Sequence, residues 1–136
     1  MSLAAEETTP AFDKAAAEAF TGKMAEALES GAVAVMLGFG HTLGLFDAMA
    51  VLPPSTSEEI AAEAGLDERY VREWLAVMVT GRVVLYDPVG RRYRLPEEHA
   101  ACLTRGAPFG NLALYGRFLA LMGQAQDHVL AGFRTG

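Results

Sequence analysis

The sequence predicts a mostly α-helical domain built on a winged helix-turn-helix, with a short β-hairpin wing and long flanking helices suited to dimerisation. Three observations predict it. Thr56 and Glu59 have the spacing of a capping box, so a helix starts near residue 57. Val71, Trp74, Leu75 and Met78 fall on one stripe of a second helix that follows after a very short turn. Two β-prone runs, 83–86 and 92–95, then flank Asp87-Pro88-Val89-Gly90, which is turn chemistry.

Composition sets the frame for these elements. A chain of 136 residues, 51% of them apolar, can bury the core of one domain. Its net charge of −6 argues against a surface made for nucleic acid, because non-specific duplex affinity comes mainly from neutralising phosphates. The N-terminus shows no basic-then-apolar signal pattern, and the apolar stretch 31–52 is broken by His41, Asp47 and several glycines. That stretch reads as a buried helix pair rather than a membrane span, and the expected location is the cytoplasm.

In chain order, residues 1–10 read as a disordered leader and 11–136 as the winged-helix and dimerisation domain. From residue 11 a helix carries Phe12, Ala16, Phe20, Met24 and Leu28 at every fourth position. Ser30-Gly31 is expected to interrupt it, and an apolar, small-residue helix resumes over 32–41. Gly44 makes a bend, residues 45–50 form a short helical turn, and Pro53-Pro54 ends it. The helix-turn-helix spans about 56–81. Ile60, Ala61 and Ala64 form the inner face of its first helix, Gly65 suits a left-handed terminus, Asp67 can cap the second helix, and Thr80-Gly81 stops it. The wing occupies about 82–95. Pro96 opens a helix to Leu103, and 104–108 is a loop. Residues 109–133 read as one long helix with Leu112, Tyr115, Leu119, Met122, Val129 and Phe133 on a stripe that Leu114, Phe118 and Leu121 widen. So apolar a helix needs more cover than a small winged helix provides, which makes it a dimer element or a platform for another domain.

Few residues have the spacing that chemistry requires. Gly38, Gly40 and Gly44 give G-x-G-x-x-x-G, not the dinucleotide G-x-G-x-x-G, and Met36 stands where a cofactor loop usually carries an acid. Close helix packing explains these glycines better. His41, His99 and His128 lack metal-ligand spacing, so no metal site is expected. His41 stands out as a polar ring in an apolar helix that needs a partner, for which a backbone carbonyl is the ordinary one. Cys102 cannot form an internal disulfide and reads as a small buried hydrophobe. Arg72, Arg91, Arg92 and Arg94, with Arg69 and Arg82, form the one candidate DNA patch, opposed by Glu58, Glu59, Glu63, Asp67, Glu68 and Glu73 on the same motif.

The run Gly40-His41-Thr42-Leu43-Gly44-Leu45-Phe46-Asp47-Ala48-Met49-Ala50, followed by Ser57-Glu58-Glu59-Ile60-Ala61-Ala62-Glu63-Ala64-Gly65-Leu66, resembles the N-terminal region of bacterial S-adenosylmethionine-dependent methyltransferases with a winged-helix head. Arg69-Tyr70-Val71-Arg72-Glu73-Trp74-Leu75 and Tyr93-Arg94-Leu95-Pro96-Glu97-Glu98-His99-Ala100 continue the match, which covers most of 30–103. Some relatives carry the label of transcriptional regulators because of this head. The resemblance implies a homodimerising domain whose helices lie over the substrate pocket of a following Rossmann-like domain. The S-adenosylmethionine site and the catalytic residues are then expected in that second domain, absent from this chain, which is either a fragment or a stand-alone relative. On this reading His41, Tyr115, Phe118 and Met122 are the candidates for facing a small-molecule pocket. The alternative is a DNA-binding regulator working through Arg72, Arg91, Arg92 and Arg94.

Overall fold

The computed structural model describes residues 11–136, and the expected disordered leader 1–10 lies outside that range. Helix α1 spans Lys14–Leu43 without a break, a length of about 45 Å. The expected interruption at Ser30-Gly31 does not occur. A helical glycine costs only about 1 kcal/mol relative to alanine, and here it sits among strong helix formers with no proline to enforce a stop. A Cβ at Gly22 or Gly31 would meet nothing, so neither glycine is a packing device. Asp13 caps the helix by accepting from the Ala16 amide. Gly44, at φ 73°, ends it, and α2 (Leu45–Val51) leaves at 71° to α1. Among the described residues no single helix is long and apolar enough to cross a membrane.

The helix-turn-helix follows the local chemistry of its sequence. In α3 (Ser57–Ala64) the Thr56 hydroxyl accepts from the Glu59 amide, and the Glu59 carboxylate accepts from the Thr56 amide. Gly65 at φ 68° closes α3, and Asp67 caps α4 (Glu68–Thr80) by accepting from the Arg69 amide. Both helices turn their apolar stripes inward, so Ile60, Ala61, Val71, Trp74, Leu75 and Met78 are buried together with Leu45, Phe46 and Met49 of α2. Trp74 is the hub of this core. Its ring meets Phe46 edge-on at 5.2 Å, and its indole N–H donates to the Met36 carbonyl of α1 at 2.9 Å.

The wing is shorter than the sequence suggests. Strand β1 is Leu85–Asp87, β2 is Arg92–Arg94, and they pair antiparallel with Tyr86 opposite Tyr93. Val83 and Val84, expected in the first strand, instead donate to the Met78 carbonyl, and Val84 drops into the core. The hydrogen-bonding needs of the α4 terminus take these two residues before the sheet can. Asp87 accepts from the Val89 and Gly90 amides to shape the turn, and Ser55 bridges to Tyr93 on the other side of β2.

Helix α5 (Glu97–Leu103) returns under the core. The last helix begins later than its hydrophobic pattern indicates. Gly110 takes φ 88°, Asn111 is extended, a single 3-10 turn covers Leu112–Tyr115, and α6 runs over Gly116–Thr135. The left-handed glycine breaks the helix that periodicity alone would start at residue 109, and the Asn111 side chain restarts it by accepting from the Leu114 amide.

Candidate functional site

Two surfaces gather the residues singled out by the sequence. The first lies where α6 crosses α1. An added Cβ at Gly38 would stand 2.8 Å from the Gly116 carbonyl carbon and 2.9 Å from the Arg117 nitrogen, so the two backbones touch. Beside this contact opens a cleft of about 700 Å³ walled by Val35, Phe39, Leu43, Leu114, Phe118 and Leu121, with Thr42, Arg117 and Gln124 as its polar groups. The glycine run that looks like a cofactor loop is therefore the middle of a helix. Gly38 admits α6, while a Cβ on Gly40 would come within 2.6 Å of the Trp74 ring. Neither residue is placed to cradle a nucleotide, and this chain offers no fit for S-adenosylmethionine there.

The four pocket candidates separate in space. Phe118 lines the cleft, and Tyr115 packs on it with ring centroids 5.9 Å apart. Met122 is exposed further along α6, on a shallow apolar depression shared with Val129 and Leu130. His41 is half-buried near the end of α1 and is not among the cleft's walls. Its partner is a side chain rather than the ordinary backbone carbonyl: the Asn111 amide nitrogen lies 2.9 Å from His41 Nδ1. The His41 carbonyl accepts from Arg105, which also grips Asp47 of α2 through its guanidinium at 2.7 Å and its backbone amide at 3.0 Å. Sequence reading missed Arg105, Asp47, Asn111, Phe39 and Leu43. Only Asn111 carried a local signal, a capping residue just after a glycine; the Arg105–Asp47 pair spans 58 positions and leaves no trace in periodicity.

The second surface is the wing. Arg92 donates to the Glu59 carboxylate at 3.1 Å and to the Pro54 carbonyl at 3.0 Å, so it ties the wing to α3. Arg72 lies 3.7 Å from Glu68 on its own helix. Arg91, at φ 51°, overlooks a cleft of about 240 Å³ with Arg72, Ser57, Glu58, Tyr86 and Tyr93. In that cleft the buried Ser57 hydroxyl lies within hydrogen-bond reach of both Glu58 and Glu68, at 3.2 and 2.7 Å. Hydrogen bonds from the backbone and from Thr56 hold the Glu58 carboxyl below its ordinary value, with Arg91 adding a smaller pull, so it stays ionised. Loss of hydration raises the Tyr93 hydroxyl. Of the four candidate DNA contacts, two are paired with acids of the motif itself, and Arg94 projects from β2 as an exposed residue.

Cys102 is half-buried, with its thiol donating to the His99 carbonyl at 3.3 Å. No group of three or more His, Cys, Asp or Glu residues that could hold a metal occurs among the described residues.

Residues 31–105, over half of the chain, match the family model described as the Rv2258c-like winged HTH domain. No curated protein matches the sequence. Among solved structures, human N-acetylserotonin methyltransferase in complex with SAM aligns at a TM-score of 0.65 and 20% identity, covering 94% of this chain and 36% of that one. PigF with SAH aligns at 0.63 and 19%, covering 93% and 38%. The SAH-bound form of CalO1, a methyltransferase in calicheamicin biosynthesis, aligns at 0.54 and 25%, covering 71% and 27%. The chain thus spans well under half the length of each of these structures, and what the likenesses show is the fold.

Proposed function

The chain belongs to the Rv2258c-like winged HTH domain family, and from that premise we propose that it is the dimerisation and substrate-capping part of an S-adenosylmethionine-dependent small-molecule methyltransferase. The α1–α6 cleft carries this reading. It is a largely apolar space bounded by helices that leave many of their large apolar side chains exposed, which suits a lid over an organic acceptor and a seat for a second copy. The SAM- and SAH-bound structures of the same fold support the cofactor class. In this reading methyl transfer and S-adenosylmethionine binding belong to a Rossmann-like domain outside these 136 residues, and the cap supplies apolar walls and water exclusion in the cytoplasm. Phe118 is the wall residue of choice, with Tyr115 bracing it and His41 and Met122 on the flanks.

Two measurements on the chain alone test the reading. Light scattering at micromolar concentration is expected to give a homodimer, and titration calorimetry with S-adenosylmethionine is expected to give no binding heat. A clean monomer that binds no hydrophobic dye removes the dimer, and binding of S-adenosylmethionine by this chain relocates the cofactor site.

A further inference from the structure

Histidines 41 and 99 are held by partners of opposite character, and this assigns a role to Asn111. The Leu114 amide is a backbone N–H and can only donate; it points at Asn111 Oδ1 at 3.2 Å. That contact fixes which end of the Asn111 amide is oxygen. The other end is the NH₂ group, which donates to His41 Nδ1 at 2.9 Å. Nδ1 must therefore carry a lone pair, and the proton of the neutral ring sits on Nε2. At His99 the logic reverses, because Nδ1 lies 2.7 Å from the Val83 carbonyl, which can only accept, so there the proton is on Nδ1. Among the described residues no fully buried polar side-chain atom lacks a partner; His41 Nε2 bonds none of them, so it is not fully enclosed. The charged groups of this corner are already engaged with each other, Arg105 of the loop after α5 with Asp47 of α2, and neither bonds the ring.

We propose that Asn111 is a positioning residue that locks the His41 proton on Nε2, leaving an Nε2–H donor that selects an acceptor oxygen, such as a carboxylate or carbonyl, on the small molecule the cap covers. The ligand half rests on the capping function proposed above; the tautomer does not. Nitrogen-15 spectra of the chain in alkaline buffer separate the two. His41 is expected to show an unprotonated Nδ1 and a protonated Nε2, and His99 the reverse, so one histidine serves as the other's control. Asn111→Asp places an acceptor at the same position and is expected to move the His41 proton to Nδ1 while His99 stays unchanged. A wild-type His41 protonated at Nδ1, or an Asn111→Asp chain of intact helicity that keeps Nδ1 bare, overturns the proposal. Sodium benzoate is expected to shift the His41 Nε2 signal and benzylammonium chloride to leave it in place. The opposite preference, or no response to either probe, overturns the ligand half with the tautomer standing. A monomer by light scattering instead strikes the capping function without touching His41.

Discussion

The helix-turn-helix body and the two long flanking helices have similar shares of apolar residues but treat them in opposite ways. Phe46 and Leu75 in the body are 0% exposed, whereas Leu28 on α1 and Phe133 on α6 are 77% and 87% exposed. From α6 only Gly116 is buried, and from the 30 residues of α1 only Gly38 and Gly40. The body is closed by its own side chains. Helix α1 joins the body through its glycines and through the half-buried Val33, Met36 and Leu37, while α6 meets α1 backbone to backbone at Gly116. The contrast places the closed core in the body and the open apolar surface on the flanks.

The largest expected effect falls on the body. Trp74→Ala removes the ring that meets Phe46 and the N–H that reaches the Met36 carbonyl, and should destabilise the chain by about 3–5 kcal/mol in denaturant melts. A change below about 1 kcal/mol would mean that the core does not depend on this hub.

Two neighbouring glycines then sharpen the comparison, because they serve different regions. A Cβ at Gly40 meets the Phe46 and Trp74 rings, so Gly40→Ala should overpack the body at a cost of about 1–3 kcal/mol in the global melt. A Cβ at Gly38 meets the α6 backbone, which cannot rotate away, so Gly38→Ala should loosen α6 while sparing the body. Hydrogen exchange reads the difference: faster exchange over 116–135 with unchanged protection over 57–80 in Gly38→Ala, and a general loss of protection in Gly40→Ala. Equal behaviour of the two variants would erase the boundary between the regions.

What could be read from the sequence follows the same boundary. The body's elements are specified by neighbours in the chain. The Thr56–Glu59 capping box, the left-handed Gly65, the Asp67 cap and the Trp74 stripe each need only a few residues of context, and each is present in the fold. The flanks are specified by distant contacts or by none. Ser30-Gly31 resembles a stop because its helical neighbours cannot be weighed from composition alone, and Val83-Val84 resembles strand because the claim of the Met78 carbonyl on their amides is tertiary. The cleft needs Gly38 and Gly116 to meet across 78 positions, and the sequence shows only that each is small. That His41 needs a polar partner was legible, while its tether to Asn111 was not.

Surface changes on the flanks should scarcely alter the melt of the separated chain. Leu28→Glu on α1 and Phe133→Glu on α6 replace side chains that a single chain leaves exposed, so each is expected to change the stability of the monomer by no more than about 0.5 kcal/mol. Their effect should appear in mass instead: light scattering is expected to show a shift from dimer toward monomer for at least one of them, together with increased binding of a hydrophobic dye. Two variants that remain fully dimeric would place the shared surface elsewhere, with the Phe39–Leu43 ridge of the cleft as the next face to test.

The smallest effect is expected at the wing. Arg92 and Glu59 are both about half exposed, so breaking their pair with Arg92→Ala should cost about 0.2–1 kcal/mol, screened further as salt rises. The same substitution discriminates between cap and regulator. Arg92 is spent on Glu59 and Pro54, Arg72 sits beside Glu68, and Asp67 and Glu68 stand at the N-terminal end of α4, where a recognition helix would meet bases. Duplex DNA should therefore bind weakly and without sequence preference, through the few remaining arginines. Its affinity should fall with salt at a log–log slope near −0.9 for each phosphate neutralised. Selection from random duplexes checks this most directly. A palindromic site bound at roughly 10⁻⁸ M or tighter in physiological salt, and lost in Arg72→Ala, would make the wing a reader of sequence and the chain a regulator. Recovery of no site, with Arg72→Ala and Arg94→Ala changing only the residual salt-sensitive binding, is the outcome a wing used for packing should give.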